Sequence, residues 1–323
     1  MRRVVASLAA VLASLALASC GGDGAEPGAL KRATLVLDFT PNAVHSGIYE
    51  ARSKGRYRSH GVDLQVQPPS ASSDAPKLLQ SGSTDFAILD IHDLGIARER
   101  GLPLVGIAAI VQRPLAAVIA RDDGSITRPR DLQGATVGVT GLPSDDAVVD
   151  SEVQADGVDP SAVDRVTIGF NAVTDLAAGK VDAATGFWNA EAVALDRRGI
   201  KVRSFRVDDY GAPPYPELVL VTTRDMLERE PDLARSVALA TAAGYRAVIR
   251  DPASALDALL AANPSLDRDE QRAELRLLLP AFSPPGRLRA AVLRKWAAWD
   301  HSHGILDRRI DPDDAFGGSE YKR

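Results

Sequence analysis

The chain of 323 residues contains one cysteine, Cys20, which stands ahead of every segment with the periodicity of a folded element. No internal disulfide can therefore form in the body of the protein, and core packing must supply its stability. Basic clusters are missing and the formal charge is -5, which argues against nucleic acid, because phosphate binding needs concentrated Lys and Arg. Beyond Cys20 no apolar run is long enough to span a bilayer. The five histidines include His301 and His303 in an HxH spacing, but no acidic or cysteine partner falls where a metal site would need one. Neither a metal nor a cofactor is expected. Aromatic residues make up only 5% of the chain, so the places where they gather carry information.

What is present begins with a leader. Arg2-Arg3, the apolar stretch Val4 to Leu17 and the small pair Ala18-Ser19 form a secretory signal, too short and too Ala-rich for a stable membrane span. Leu17-Ala18-Ser19-Cys20 resembles the lipobox of bacterial lipoproteins, which implies an acylated Cys20 as the new N-terminus. Residues 1–19 are then a signal peptide and 20–33 a lipidated tether, in which Gly21 to Gly28 has too little apolar surface to fold. The expected product is exported whole and held on the extracytoplasmic face of the cell membrane.

The remainder, 45% hydrophobic and 25% charged over the whole chain, is globular in composition. Leu35-Val36-Leu37, Val62 to Val66, Phe86 to Leu89 and Val105 to Val111 read as strands, separated by the helical segments His45–Lys54, Ala75–Ser81 and Leu94–Glu99. The same alternation restarts after Arg113-Pro114, with strands at Leu115–Ala120, Ala135–Val139, Val163–Ile168, Ala183–Phe187 and Lys201–Val207. Leu218–Thr222 is again extended, and the chain then turns helical over Asp232–Arg250, Ala253–Ala262, Arg268–Leu279 and Arg287–His301. This grammar predicts an α/β protein with mainly parallel, helix-covered sheets. It divides into lobe I (34–112), lobe II (113–216) and a mostly helical return to lobe I (217–323), with crossings near 112–114 and 214–217. Ligands of open α/β sheets sit beyond the carboxyl ends of the strands, which selects the loops Asp38–Asn42, Leu89–His92, Thr140–Asp145 and Phe187–Glu191.

Several of these residues form a pattern. Leu37-Asp38-Phe39-Thr40-Pro41-Asn42, His45, Gly47-Ile48-Tyr49 and Lys54-Gly55 resemble the first βα unit of type II solute-binding proteins of the thiamine-precursor branch. Gly82 to Ala87, Pro129 to Gly134 and Gly179 to Ala183 are similar to landmarks of the wider group, which also takes sulfonates and nitrate. The resemblance runs from Thr34 to about Trp299. It implies a type II periplasmic-binding-protein fold, two lobes joined by two hinge crossings. It also implies a monomeric, lipid-anchored receptor that performs no chemistry and delivers a small molecule to an ABC permease and its ATPase. One departure is Phe39, which stands where this branch commonly has tryptophan. A rival of another class is the related pyrimidine synthase, whose resemblance carries a cysteine-rich motif and a cofactor-binding lysine and histidine; no cysteine is left here for that motif.

A flat heteroaromatic needs aromatic faces and fixed polar groups at its edge. Phe39, Trp188 and Tyr215 are the expected wall residues, and the reading requires Trp188 and Glu191 to face the gap between the lobes. Asn42 suits a pyrimidine edge and equally suits the cap of the following helix. Glu191 would accept from a ligand amine; Asp38 and Asp90 end two strands, where they face the cleft or bind their own loops. His45 orients the first loop or touches ligand. Thr140 to Ser144 resembles an anion-holding loop, but Asp145 and Asp146 follow it and disfavour an anion. A thiamine pyrimidine precursor is thus expected, ahead of riboflavin and of a sulfonate such as taurine. Pairs such as Asp208-Asp209 and Arg197-Arg198 read as solvated faces.

Overall fold

The computed structural model describes residues 29–71 and 74–317. The leader and the lipidation site Cys20 lie outside the described residues, as does most of the tether. Among those described, no helix is long and apolar enough to cross a membrane.

Among the described residues, ten strands form two five-stranded sheets. The first contains β1 (Lys31–Val36), β2 (Val62–Gln67), β3 (Phe86–Asp90), β4 (Leu104–Ala109) and β10 (Leu218–Thr223), in the order β2-β1-β3-β10-β4. The second contains β5 (Ala116–Arg121), β6 (Thr136–Val139), β7 (Asp164–Thr167), β8 (Ala183–Phe187) and β9 (Val202–Arg206), in the order β7-β6-β8-β5-β9. Strand β1 starts at Lys31 rather than at Leu35, because Lys31 to Thr34 pair in parallel with Val62 to Gln65.

The sheets are mixed, which corrects the expectation of mainly parallel pairing. Strand β10 is antiparallel to both β3 and β4, and β5 is antiparallel to both β8 and β9. The physical reason is the route of the chain. β5 and β10 each enter their sheet directly from the other one, over residues 110–115 and 207–217; the latter holds one short 3-10 turn, Val207–Tyr210, and neither holds a covering α-helix. A strand arriving from that side runs opposite to strands that leave toward it, so the amino end of β5 meets the carboxyl end of β8 and the amino end of β10 meets that of β3.

The helical return packs mainly on the first sheet. Helix Pro231–Arg250 lies against helix Ser46–Ser53 so closely that a Cβ on Gly244 would stand 2.0 Å from the Gly47 carbonyl oxygen. Only glycine permits that approach. Tyr245 closes the contact by donating its hydroxyl to the Val44 carbonyl at 2.7 Å. The end of the loop that follows β1 is therefore pinned from behind by a helix roughly 200 residues away in sequence.

Where the crossings meet, a buried core joins both sheets through Tyr215, Trp296 and Trp299. Glu217, fully buried, accepts from the backbone N–H groups of Leu115 (2.5 Å) and Ala116 (3.3 Å), and so fastens one crossing to the other.

Candidate functional site

Between the two sheets lies a cleft of about 990 Å³, measured out to its open mouth. Its walls are the carboxyl ends of β1, β3, β6 and β8 with the amino ends of β5 and β10, and the residues there include Ala116, Ala117 and Leu218.

The loop after β1 contributes Asp38, Phe39 and Asn42. Asn42 is a helix cap: its Oδ1 accepts from Val44 N–H at 2.9 Å, which leaves its NH2 group as the donor available to the cleft. His45 is wholly buried behind the loop and lines no part of the cleft. Its Nδ1 accepts from Asn42 N–H at 3.2 Å, so Nε2 bears the hydrogen and donates to Asp38 Oδ1 at 2.9 Å. Of the two roles open to His45, the structure gives it the orienting one.

At the end of β3, Asp90 lines the cleft and caps helix Ile91–Glu99, accepting from His92 N–H at 2.7 Å. Burial, and then the neighbouring Glu217, push its carboxyl well above the usual range. One turn further, Asp93 also faces the cleft and is held well above that range by burial and by Asp90 and Asp145. Ser144 of the opposite wall favours the charged form of Asp93 and offsets part of that rise. Behind Asp90, burial opposes a charge on His92, but Asp300, at 2.8 Å, together with Asp90 and Glu217, outweighs it and raises the imidazole to about 10.

On the second sheet, Asp145 accepts from both the backbone N–H and the hydroxyl of Thr140 at 2.5 Å. The position expected to attract an anion already holds a carboxylate, and burial raises its pKa. Asp146 takes no part in this contact, being exposed and paired with Arg165. Glu191 Oε2 accepts from Phe187 N–H at 2.7 Å, and burial, then Asp145 and Asp38, raise its pKa. Its side chain folds across Gly186, where an added Cβ would come within 3.0 Å of it.

The aromatic wall differs from the expected one. Phe39 lines the cleft, but its partner is Phe170, edge-on with centroids 4.4 Å apart across the gap, and Phe187 is the third ring. Trp188 lines no part of this cleft. Its Nε1 donates to the Pro114 carbonyl at 3.2 Å and Arg206 lies over its ring at 4.2 Å, so it serves the hinge. Successive side chains at a strand end point to opposite faces, and Phe187 took the cleft side. Tyr215 is likewise corrected: it is fully buried in the hinge core, edge-on to His92 at 4.7 Å. Asp208, expected in solvent, pairs with Arg113 at 2.8 Å beside that hinge.

Glu191 thus faces the gap and Trp188 does not. Phe170, Phe187, Asp93 and Asp145 are cleft residues missed as ligand candidates. The rule that selects loops at strand ends, applied to β7 as well, would have reached Gly169-Phe170; and Asp93, three residues after Asp90, shares its helix face.

Residues 42–255 match the NMT1/THI5-like family. A formylaminopyrimidine-binding protein of Halalkalibacterium halodurans is 31% identical over 95% of this chain and 96% of its own length. A 4-amino-5-hydroxymethyl-2-methylpyrimidine phosphate synthase of Legionella pneumophila is 25% identical over 78% of this chain and 80% of its own. Among solved structures, the alkanesulfonate-binding protein SsuA of Xanthomonas axonopodis pv. citri aligns with a TM-score of 0.72 at 17% identity, over 91% of this chain and 100% of that one. Two mixed sheets around a cleft and these fold neighbours give the architecture of the periplasmic binding proteins. By the extent of the sequence match, this chain belongs to the NMT1/THI5-like family.

Proposed function

We propose that this protein is the exported substrate-binding component of an ABC importer, tethered through lipid on Cys20, and that its cleft holds a small amine-bearing heteroaromatic of the thiamine-pyrimidine type. The observation that carries the reading is the composition of the cleft. Three phenylalanines supply faces for a flat ring, five carboxylates supply acceptors for its amino groups, and no Lys or Arg is among the lining residues. A sulfonate or nitrate would meet uncompensated repulsion there, so that alternative is disfavoured. The ligand residues of this proposal are Asp38, Phe39, Asn42, Asp90, Asp93, Ser144, Asp145, Phe170, Phe187 and Glu191, with Thr140 holding Asp145 in place.

Binding rather than catalysis fits the absence of any cysteine beyond Cys20, which leaves nothing to build the cysteine-rich motif of the synthases. The test is differential scanning fluorimetry with 4-amino-5-hydroxymethyl-2-methylpyrimidine, its formylaminomethyl counterpart, riboflavin and taurine. A ligand at a hundred times its Kd stabilises the folded state by about 2.7 kcal/mol. A shift with the pyrimidines alone is expected; a shift with taurine and none with pyrimidines refutes the ordering. Replacing Cys20 by Ala should move the protein from the membrane fraction to the soluble one.

A further inference from the structure

Resting on the reading of the cleft as an aminopyrimidine site, we infer that the ligand is held as a cation, protonated on a ring nitrogen, and that the protein selects basic heterocycles over non-basic ones of the same shape. Five carboxylates, Asp38, Asp90, Asp93, Asp145 and Glu191, converge on one cleft from both sheets, and no lining residue is Lys, Arg or His. They are close enough to repel one another: Glu191 feels Asp145 and Asp38, and Asp93 feels Asp90 and Asp145. The groups behind them cancel only part of this charge. The cation on His92 lowers Asp90 and Asp93 but is shared with Asp300, Glu217 adds repulsion behind Asp90, and Glu274, kept neutral by burial up to about pH 8, supplies no positive charge.

Such a wall is stable when empty only with protons on some carboxyls, and a cation replaces those protons directly. A 4-aminopyrimidine is a weak base that takes its proton mainly on N1, across the ring from the 4-amino group, so the cation presents N–H donors at opposite edges. Carboxylates on two walls accept one each in charge-assisted hydrogen bonds. Two of the carboxylates are pre-aimed, because His45 holds Asp38 by one oxygen and Phe187 N–H holds Glu191 by one oxygen. The proton count closes within the site: the ring nitrogen gains one proton and a cleft carboxyl gives one up, so a neutral pair becomes an ion pair. Above the pH at which the empty cleft keeps that proton, it must come from water. The affinity then falls as pH rises, by at most about tenfold per unit.

The direct test is ultraviolet difference spectroscopy of 4-amino-5-hydroxymethyl-2-methylpyrimidine bound to the full exported chain at pH 8, where the free ring is neutral. Bound ligand should show the absorbance of its protonated form. The 2-trifluoromethyl analogue, close in shape but far less basic, should bind at least tenfold more weakly by isothermal titration calorimetry. Tight binding with a neutral-form spectrum, or equal affinity for the analogue, overturns the inference and leaves the pyrimidine reading standing. No binding of either compound overturns the pyrimidine reading, and the inference with it.

Discussion

Replacing Phe170 by Ala should weaken ligand binding while leaving the fold intact, whereas replacing Trp188 by Ala should do the reverse. The Phe170 ring meets Phe39 edge-on at 4.4 Å across the cleft, and it belongs to none of the buried hydrophobic clusters. An aromatic pair of this kind contributes about 0.5–1.5 kcal/mol beyond its buried area. At about 1.4 kcal/mol per tenfold, that alone raises Kd by roughly 2- to 12-fold, and loss of a face for the ligand adds to it. The contact joins the two walls outside the buried clusters, so unfolding in urea should shift by no more than about 1.5 kcal/mol, the worth of the ring pair itself. Trp188 instead packs against two hydrophobic clusters, lies under Arg206 and donates to Pro114. Its half-buried ring sets the loss on truncation at about 2 kcal/mol of stability, below the range for a fully buried one. Calorimetric titration with the pyrimidine, paired with urea denaturation, reads both effects. An unchanged Kd for the Phe170 variant, with a tenfold rise and normal stability for the Trp188 variant, would refute this assignment and restore Trp188 as the stacking residue.

Glu274, pushed by burial up to about 8, keeps its proton in the folded protein between pH 4.5 and 8, while the unfolded chain loses it. The folded state binds more protons in that window, so Glu274 makes stability fall as pH rises through it. Glu274→Gln should stabilise the protein by roughly 1–3 kcal/mol at pH 8 and by little at pH 4.5, as read from urea midpoints at both. Gly244→Ala would drive a Cβ to 2.0 Å from the Gly47 carbonyl oxygen, and the helices must part; the loss should be about 3 kcal/mol or more in the thermal or urea transition, and a neutral result would show the approach to be loose. Glu217→Ala strands two buried N–H groups, Leu115 and Ala116, and should cost about 3 kcal/mol; Glu217→Gln, which keeps an acceptor, should recover most of it.

Much of the fold was legible because its signals are local. The alternating run at 62–66, the strand segment at 183–187 and the helical period of 232–250 each report a pattern within a few residues, and all of them form the expected elements. The loops at strand ends also led to Asp38, Asn42, Asp90 and Glu191, which line the cleft. The directions of β5 and β10 were less accessible, because they depend on where the crossing enters a sheet rather than on the strand's own residues.

The sequence by itself determined which segments are strands and which are helices, which loops line the cleft and that the body carries no disulfide, since these follow from periodicity, turn chemistry and residue counts. Only the tertiary structure decided which of two adjacent rings, Phe187 or Trp188, faces the cleft, that Tyr215 belongs to the hinge, and that Phe170 meets Phe39. Those outcomes turn on contacts between residues far apart in the chain. His92 finds Asp300, and Phe39 finds Phe170, through the docking of whole layers, and no short-range pattern encodes the face that such docking leaves open.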